Sequence, residues 1–147
     1  MKSLPSNRAL AILIARWILG LIFFMAGWYK VFQMGPVGHA HKFFVDPYRE
    51  SFLPLWSLWA AGTTVPFVEL GAGALVMLGW FRRPAYIGLG AVLVMVTFGH
   101  LLAEPLYEFH THVIPRTALL LFVLVMPAGE DTVSLDHWFG NRREAQR

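Results

Sequence analysis

The sequence predicts an all-α fold, an integral membrane four-helix bundle with both termini cytoplasmic and a short interfacial segment in the first outer loop. Two observations of composition and pattern lead to this prediction. The chain is 56% hydrophobic and 14% charged, whereas a soluble domain carries about 25% charged residues. The segments between its apolar runs are alternately rich and poor in basic residues, as expected for a chain that crosses a membrane repeatedly.

The apolar runs have the length that a membrane span needs, since a bilayer core of about 30 Å takes about 20 helical residues. We expect one transmembrane domain covering residues 1–147, with spans near 9–32, 55–80, 84–102 and 113–127 and a polar cytoplasmic tail at 128–147. Lys2 and Arg8 before the first run also fit a signal peptide. Arg16 interrupts that run and no clear cleavage site follows, so a retained span is favoured.

Charge asymmetry gives the expected topology. Seven basic residues flank the spans on one side: Lys2, Arg8, Arg82, Arg83, Arg142, Arg143 and Arg147. The opposite loops hold only Lys42 and Arg49, with Lys30 and Arg116 at their edges. The positive-inside rule therefore places both termini and the short loop before Pro84 in the cytoplasm.

Proline and glycine positions shape the predicted bundle. Pro66 is expected either to kink the second span or to mark its late beginning. Small residues permit close helix packing, and we expect such contacts at Gly20, Gly27, Gly71 and Gly73.

Two charges fall within predicted spans, Arg16 in the first and Glu69 in the second. Intramembrane charges are costly, which makes each a candidate for function. In one interpretation Arg16 extends to the cytoplasmic headgroups and Glu69 is neutral or hydrogen-bonded. In the other, both polarise the bundle interior and form part of a site.

The loop after the third span concentrates titratable groups. His100 and Glu104 share a helix face, and His110, His112 and Arg116 follow within a few residues. With Glu69, four of these are candidate ligand-binding residues for a quinone-like or small polar molecule: His100, Glu104, His112 and Arg116. A metal site is the weaker hypothesis, because no closed ligand spacing such as HExxH is present. Its candidates are His100, Glu104, His110 and His112, and ordinary solvated loop residues are the third interpretation.

The first outer loop contributes two further histidines, His39 and His41, which would join the group from His100 to His112 if this loop folds inward. The chain has no Cys, which excludes disulfides, thiolate metal sites and cysteine nucleophiles. No nucleotide or hydrolase motif is present, and the basic clusters fit membrane topology better than nucleic-acid binding.

The order of motifs resembles the DoxX family of small bacterial membrane proteins. The first is Arg16-x-x-x-Gly20 through Gly27-x-x-Lys30, and the second is Glu69-Leu-Gly-Ala-Gly73 through Leu78-Gly79 and Arg82-Arg83. The resemblance covers about residues 8–102 and carries over Arg16, Lys30 and Glu69 as the motif charges. It implies a four-helix protein of the bacterial inner membrane. Some similar proteins are linked to redox systems, including an archaeal thiosulfate:quinone oxidoreductase and thiol-based stress defences.

Two functional hypotheses follow. The first is a redox-associated subunit with a quinone or small-solute pocket near the outer face, at most an accessory membrane subunit of an oxidoreductase. The second is a non-catalytic structural or assembly subunit of a larger membrane complex. Expected partners are the lipid bilayer and other membrane or redox subunits, with a homo-oligomer also open. A transporter is less favoured because no inverted repeat is visible.

Overall fold

The computed structural model describes residues 4–106 and 108–144, the last four as backbone only. Throughout this part every regular element is helical, so the all-α prediction is confirmed. The α-helices are α1 (Asn7–Trp28), α2 (Pro36–Ala40), α3 (Asp46–Tyr48), α4 (Leu55–Leu78), α5 (Arg82–Ala103), α6 (Val113–Val125) and α7 (Leu135–Glu144). Shorter turns are π-helical at Tyr29–Gln33 and His41–Val45 and 3-10 at Ala128–Glu130. Lys2 and Arg147 of the topology prediction lie outside the described residues.

Three helices are long and apolar enough to cross a membrane: α1 with its π-helical extension (Asn7–Gln33), α4 and α5. The helix α6 is apolar but has only 13 residues. At 1.5 Å per residue it is about 20 Å long, which is less than the bilayer core of about 30 Å. The fourth span and the orientation of the termini therefore stay predictions.

The most extensive helix pairing joins α1 to α4, and glycines allow it. A Cβ atom at Gly73 would lie 2.6 Å from the backbone nitrogen of Phe24, and one at Gly20 would lie 2.8 Å from the carbonyl oxygen of Gly73. Both distances are far inside van der Waals contact, so the two backbones approach where side chains would separate them. Gly71 faces open space instead. Of the Gly71 and Gly73 pair, only Gly73 makes the close approach.

Pro66 lies inside a continuous α4 and does not mark a late beginning of the helix. Because proline has no N–H, the carbonyl of Gly62, four residues earlier, loses its helical partner. The segment between α1 and α4 replaces that partner, since Nδ1 of His39 lies 2.6 Å from the oxygen of Gly62. Ala40 packs directly against Gly62. The first loop, residues 36–48, is thus a helical segment held against α4.

The segment after α6, which was predicted to be a polar tail with a short helix at residues 134–139, packs onto the bundle. Asp131 is 2% exposed. Asp136, in the first turn of α7, accepts hydrogen bonds from the backbone N–H groups of Phe81 and Arg82 at 3.0 and 3.1 Å. These bonds hold the turn between α4 and α5, in which Phe81 adopts a left-handed conformation that is unfavourable for a bulky residue (φ 47°).

Candidate functional site

Buried charges form two clusters, one near the C-terminal end of α4 and the other near the C-terminal end of α1. The first surrounds Arg16, which is fully buried. Its Nε lies 3.0 Å from Oδ2 of Asp131. Its Nη1 donates to the carbonyl oxygens of Val76 and Met77 at 2.9 and 3.1 Å, and its Nη2 donates to that of Val133 at 3.1 Å. Arg16 therefore does not extend to the headgroups, because the end of α4 and the chain's own tail enclose it.

Asp131 joins Arg16 to a second arginine, and these residues with Asp136 are called the Arg16 cluster below. Nη1 of Arg82 donates to Oδ2 of Asp131 at 2.7 Å, and its Nε donates to Asp136 at 3.1 Å. Within the described part of the chain, Oδ1 of Asp131 has no hydrogen-bond partner. Two arginines and two carboxylates balance in formal charge, and their contacts fasten α1, α4, α5 and the tail together.

The second cluster lies near the C-terminal end of α1. Nζ of Lys30, in the π-helical extension, donates to Oε2 of Glu69 at 2.6 Å. Glu69 is 4% exposed. The bond from Lys30 confirms the interpretation that this buried carboxylate is hydrogen-bonded. Arg116 of α6 lies within electrostatic range of this carboxylate, and its guanidinium is 5.8 Å from the centre of the Phe23 ring. A π-helical turn is often found at functional sites, where it re-aims a side chain within a helix.

Beside this ion pair is a cavity of about 340 Å³, called the Lys30 pocket below. Its lining comes from the end of α1, the 36–48 segment, α4 and α5. Polar groups on the wall belong to Lys30, His39, Lys42, Tyr48 and His100. Apolar wall residues include Phe43, Phe44, Val65 and Met95. Its volume is in the range of small-molecule sites, which are mostly apolar with a few placed polar groups.

Backbone carbonyls hold three of these polar side chains in place. His39 is bound to Gly62 as described above, the hydroxyl of Tyr48 donates to the carbonyl of Gly99 at 2.7 Å, and Nδ1 of His100 lies 2.8 Å from that of Val96. Burial lowers the pKa of His39, and the charge of Lys30 acts in the same direction, so its imidazole is neutral near pH 7. Burial also raises the pKa of Tyr48, which keeps the hydroxyl protonated.

Some residues predicted from the sequence come together at the Lys30 pocket, while others do not. His100 lines the pocket, and Glu69 stands directly behind Lys30. Arg116 is partly buried near Glu69, whereas Glu104, His110 and His112 are exposed and outside the pocket lining. Among the described residues, no three or more His, Cys, Asp or Glu side chains group in a way that could hold a metal ion. The weaker set of His100, Glu104, His110 and His112 thus forms no metal site in this structure.

Of the two histidines in the first loop, only His39 folds inward. His41 is exposed and contacts the Trp59 ring and Asp46. The sequence pointed to His39 only on the condition that the first loop folds inward, and His39 does line the pocket with His100. It did not point to Lys42 or Tyr48 as site residues. A signal for His39 was present, because Pro66 four residues after Gly62 leaves a carbonyl that needs a donor. No comparable local signal marks Tyr48 or Lys42.

The DoxX family model matches residues 11–101 of the chain. The match includes Arg16, Lys30, Glu69 and His100, and it ends before Asp131. No curated protein and no solved structure matches the chain. Since the family match covers more than half of the residues and the three long helices are apolar enough to cross a bilayer, this is a membrane protein that belongs to the DoxX family.

Proposed function

We propose that this protein is a redox-associated membrane subunit that binds a small aromatic molecule of the quinone class in the Lys30 pocket. One observation carries the proposal: Lys30, His39, Tyr48 and His100 converge on a single cavity whose remaining wall is largely apolar and aromatic. A quinone head group is a flat ring with oxygens at opposite ends. It needs apolar surfaces for the ring and a few polar groups for the oxygens.

Lys30 is a charged hydrogen-bond donor in this wall, and unlike Lys42 it is fixed by an ion pair with Glu69. An ammonium group has three N–H donors, and Glu69 accepts one of them. Within the described residues the other two have no hydrogen-bond partner, and the side chain keeps 22% of its surface exposed. A charge-assisted bond from Lys30 to a ligand oxygen is about twice as strong as a neutral one.

Glu69 makes a charged Lys30 tolerable at this depth. An unpaired ammonium in the bundle would be strongly disfavoured, whereas the ion pair is locally neutral and fixes Nζ beside the cavity. Arg116 adds positive charge within range of the same carboxylate. Glu69 and Arg116 are therefore positioning residues, and Lys30 and the histidines are the groups that would touch a ligand.

The redox association is proposed from the family, because the resemblance implies that some members are linked to redox systems. The chain has no Cys, so any thiol–disulfide exchange in such a system would take place on a partner. Four spans with cytoplasmic termini in a bacterial inner membrane are part of the same proposal. The basic flanks support this orientation, which opens the Lys30 pocket toward the outer face.

The proposal is tested by titrating the purified protein in lipid nanodiscs with a short-chain quinone analogue. Quenching of tryptophan fluorescence reports the binding. The variant replaces both members of the ion pair, Lys30→Met with Glu69→Met, because removing Lys30 alone would leave a buried unpaired carboxylate. Loss of a charge-assisted bond should weaken binding about 10- to 100-fold. His112→Asn is the matched control, since His112 is exposed and outside the pocket. Equal weakening by both variants, or no saturable binding to the wild type, would refute the proposal.

A second candidate function, an assembly subunit, has one observation in its favour. A groove of about 870 Å³ runs between α5 and α6, and its lining is almost entirely apolar, with Gly90, Thr97 and Ala118 among its small residues. The short α6 leaves part of the bilayer height beside α5 uncovered, where a transmembrane helix of another subunit would fit. Ala118→Phe would fill the groove, and loss of a defined co-purifying subunit with an unchanged quinone affinity would support this function.

A further inference from the structure

His39 has its protonation pattern fixed by a proline in another helix. The carbonyl of Gly62 has no α-helical donor because residue 66 is proline. Nδ1 of His39 lies 2.6 Å from this oxygen, and both groups are buried. A carbonyl oxygen can only accept, so Nδ1 must carry the hydrogen.

The other ring nitrogen, Nε2, is then an acceptor whenever the ring is neutral. Burial and the nearby charge of Lys30 lower the pKa of His39, which keeps the ring neutral near pH 7. No hydrogen bond to Nε2 is made by the part of the chain that the structure describes. The side chain is 2% exposed, and it forms part of the wall of the Lys30 pocket. A ligand that enters the pocket displaces water from this acceptor, and a ligand without a donor would leave Nε2 unsatisfied. A ligand donor is therefore the expected partner.

From this geometry we infer that the ligand of the Lys30 pocket presents a hydroxyl group whose O–H donates to Nε2 of His39, as in a phenol or a hydroquinol. The inference rests on the proposed function and narrows it, because a fully oxidised quinone has only acceptor oxygens. Lys30 would bind a second oxygen, which accepts. In this binding mode His39 supplies the acceptor and Lys30 a charged donor, so the pocket would discriminate between the two redox forms of a quinone.

The test uses two probes that differ only in the donor, a para-alkyl phenol and its methyl ether, with the full chain in lipid nanodiscs. We expect the phenol to bind at least about 10-fold more tightly than the ether, because the ether leaves Nε2 without a partner. Equal affinities would overturn the inference while leaving the proposed site intact. Absence of saturable binding by both probes and by the quinone analogue would overturn the proposed function, and this inference with it.

Two variants separate the roles of the two ring nitrogens. His39→Asn retains an N–H near the position of Nδ1 for Gly62 but lacks the distal acceptor, so it should abolish the preference for the phenol. Pro66→Ala restores a backbone N–H that competes for the Gly62 carbonyl, and it should not harm folding because it removes a proline from a helix interior. In that variant the ¹⁵N shifts of labelled His39 should move away from a pure Nδ1–H tautomer. A wild-type spectrum showing the Nε2–H tautomer would overturn the inference without reference to any ligand.

Discussion

Loss of the Asp131 carboxylate should strongly destabilise the protein, although this residue lies in the segment that was predicted to be a polar tail. Its side chain is 2% exposed and contacts two arginines, Arg16 at 3.0 Å and Arg82 at 2.7 Å. Asp131→Asn keeps the shape and removes the charge. Arg82 keeps Asp136 as a partner, whereas Arg16 would keep only carbonyl oxygens around a fully buried positive charge.

The expected cost follows from this asymmetry. Breaking a buried ion pair by removing one partner costs about 3–5 kcal/mol, since the remaining charge stays buried and uncompensated. The neighbouring residue provides a matched control: Glu130 pairs with Arg8, whose side chain is 77% exposed. Exposed pairs contribute at most about 1 kcal/mol, so Glu130→Gln should be close to neutral.

Free energies of unfolding can be compared by titrating detergent-solubilised protein with sodium dodecyl sulfate and following tryptophan fluorescence. Asp131→Asn should unfold at a clearly lower mole fraction of dodecyl sulfate than both the wild type and Glu130→Gln. Arg16→Met combined with Asp131→Leu should recover part of the loss, because it removes both members of the pair and leaves Arg82 paired with Asp136. If Asp131→Asn and Glu130→Gln unfold alike, the Arg16 cluster does not fasten the tail to the bundle.

Three further predictions concern the α1–α4 interface and the Lys30 pocket. Gly73→Ala should lower the free energy of unfolding by about 1–3 kcal/mol through overpacking. Gly71→Ala, in open space on the same helix, should be neutral or slightly stabilising. Equal effects in the dodecyl sulfate titration would contradict the close backbone approach. The lowered pKa of His39 means that the unfolded chain binds a proton more readily than the folded one, so stability should fall as pH drops below about 6.5, by at most about 1.4 kcal/mol per pH unit. His39→Asn should reduce this dependence between pH 7.5 and 5.5, and an unchanged profile would argue against a neutral buried ring. In a double-mutant cycle, Lys30→Met and Glu69→Gln should show a favourable coupling that persists in 0.5 M salt because the pair is buried; a coupling abolished by salt would place the pair in water.

The features that depend on hydrophobicity were predictable from the sequence. Three long apolar helices follow from composition and run length, and Glu69 is recognisable because a charge in such a run is rare. What the sequence did not show is which charges pair. Arg16 lies beside Val76 and Met77 at the end of α4, too far along that helix to pair with Glu69. Each has another partner, Asp131 for Arg16 and Lys30 for Glu69. Those partners depend on how the tail folds back and on the π-helical turn at the end of α1, neither of which hydropathy encodes.

The two central cations, Arg16 and Lys30, also differ in their access to a cavity, and this difference separates structure from function. Each guanidinium nitrogen of Arg16 lies within 3.1 Å of an oxygen of the protein, and the side chain is fully buried. Lys30 donates one hydrogen bond to Glu69, remains partly exposed and lines the wall of a cavity. A buried charge enclosed by its own chain holds a fold together, while one with donors beside a cavity is poised to bind. The Lys30 end of the bundle is therefore where ligand binding is to be sought.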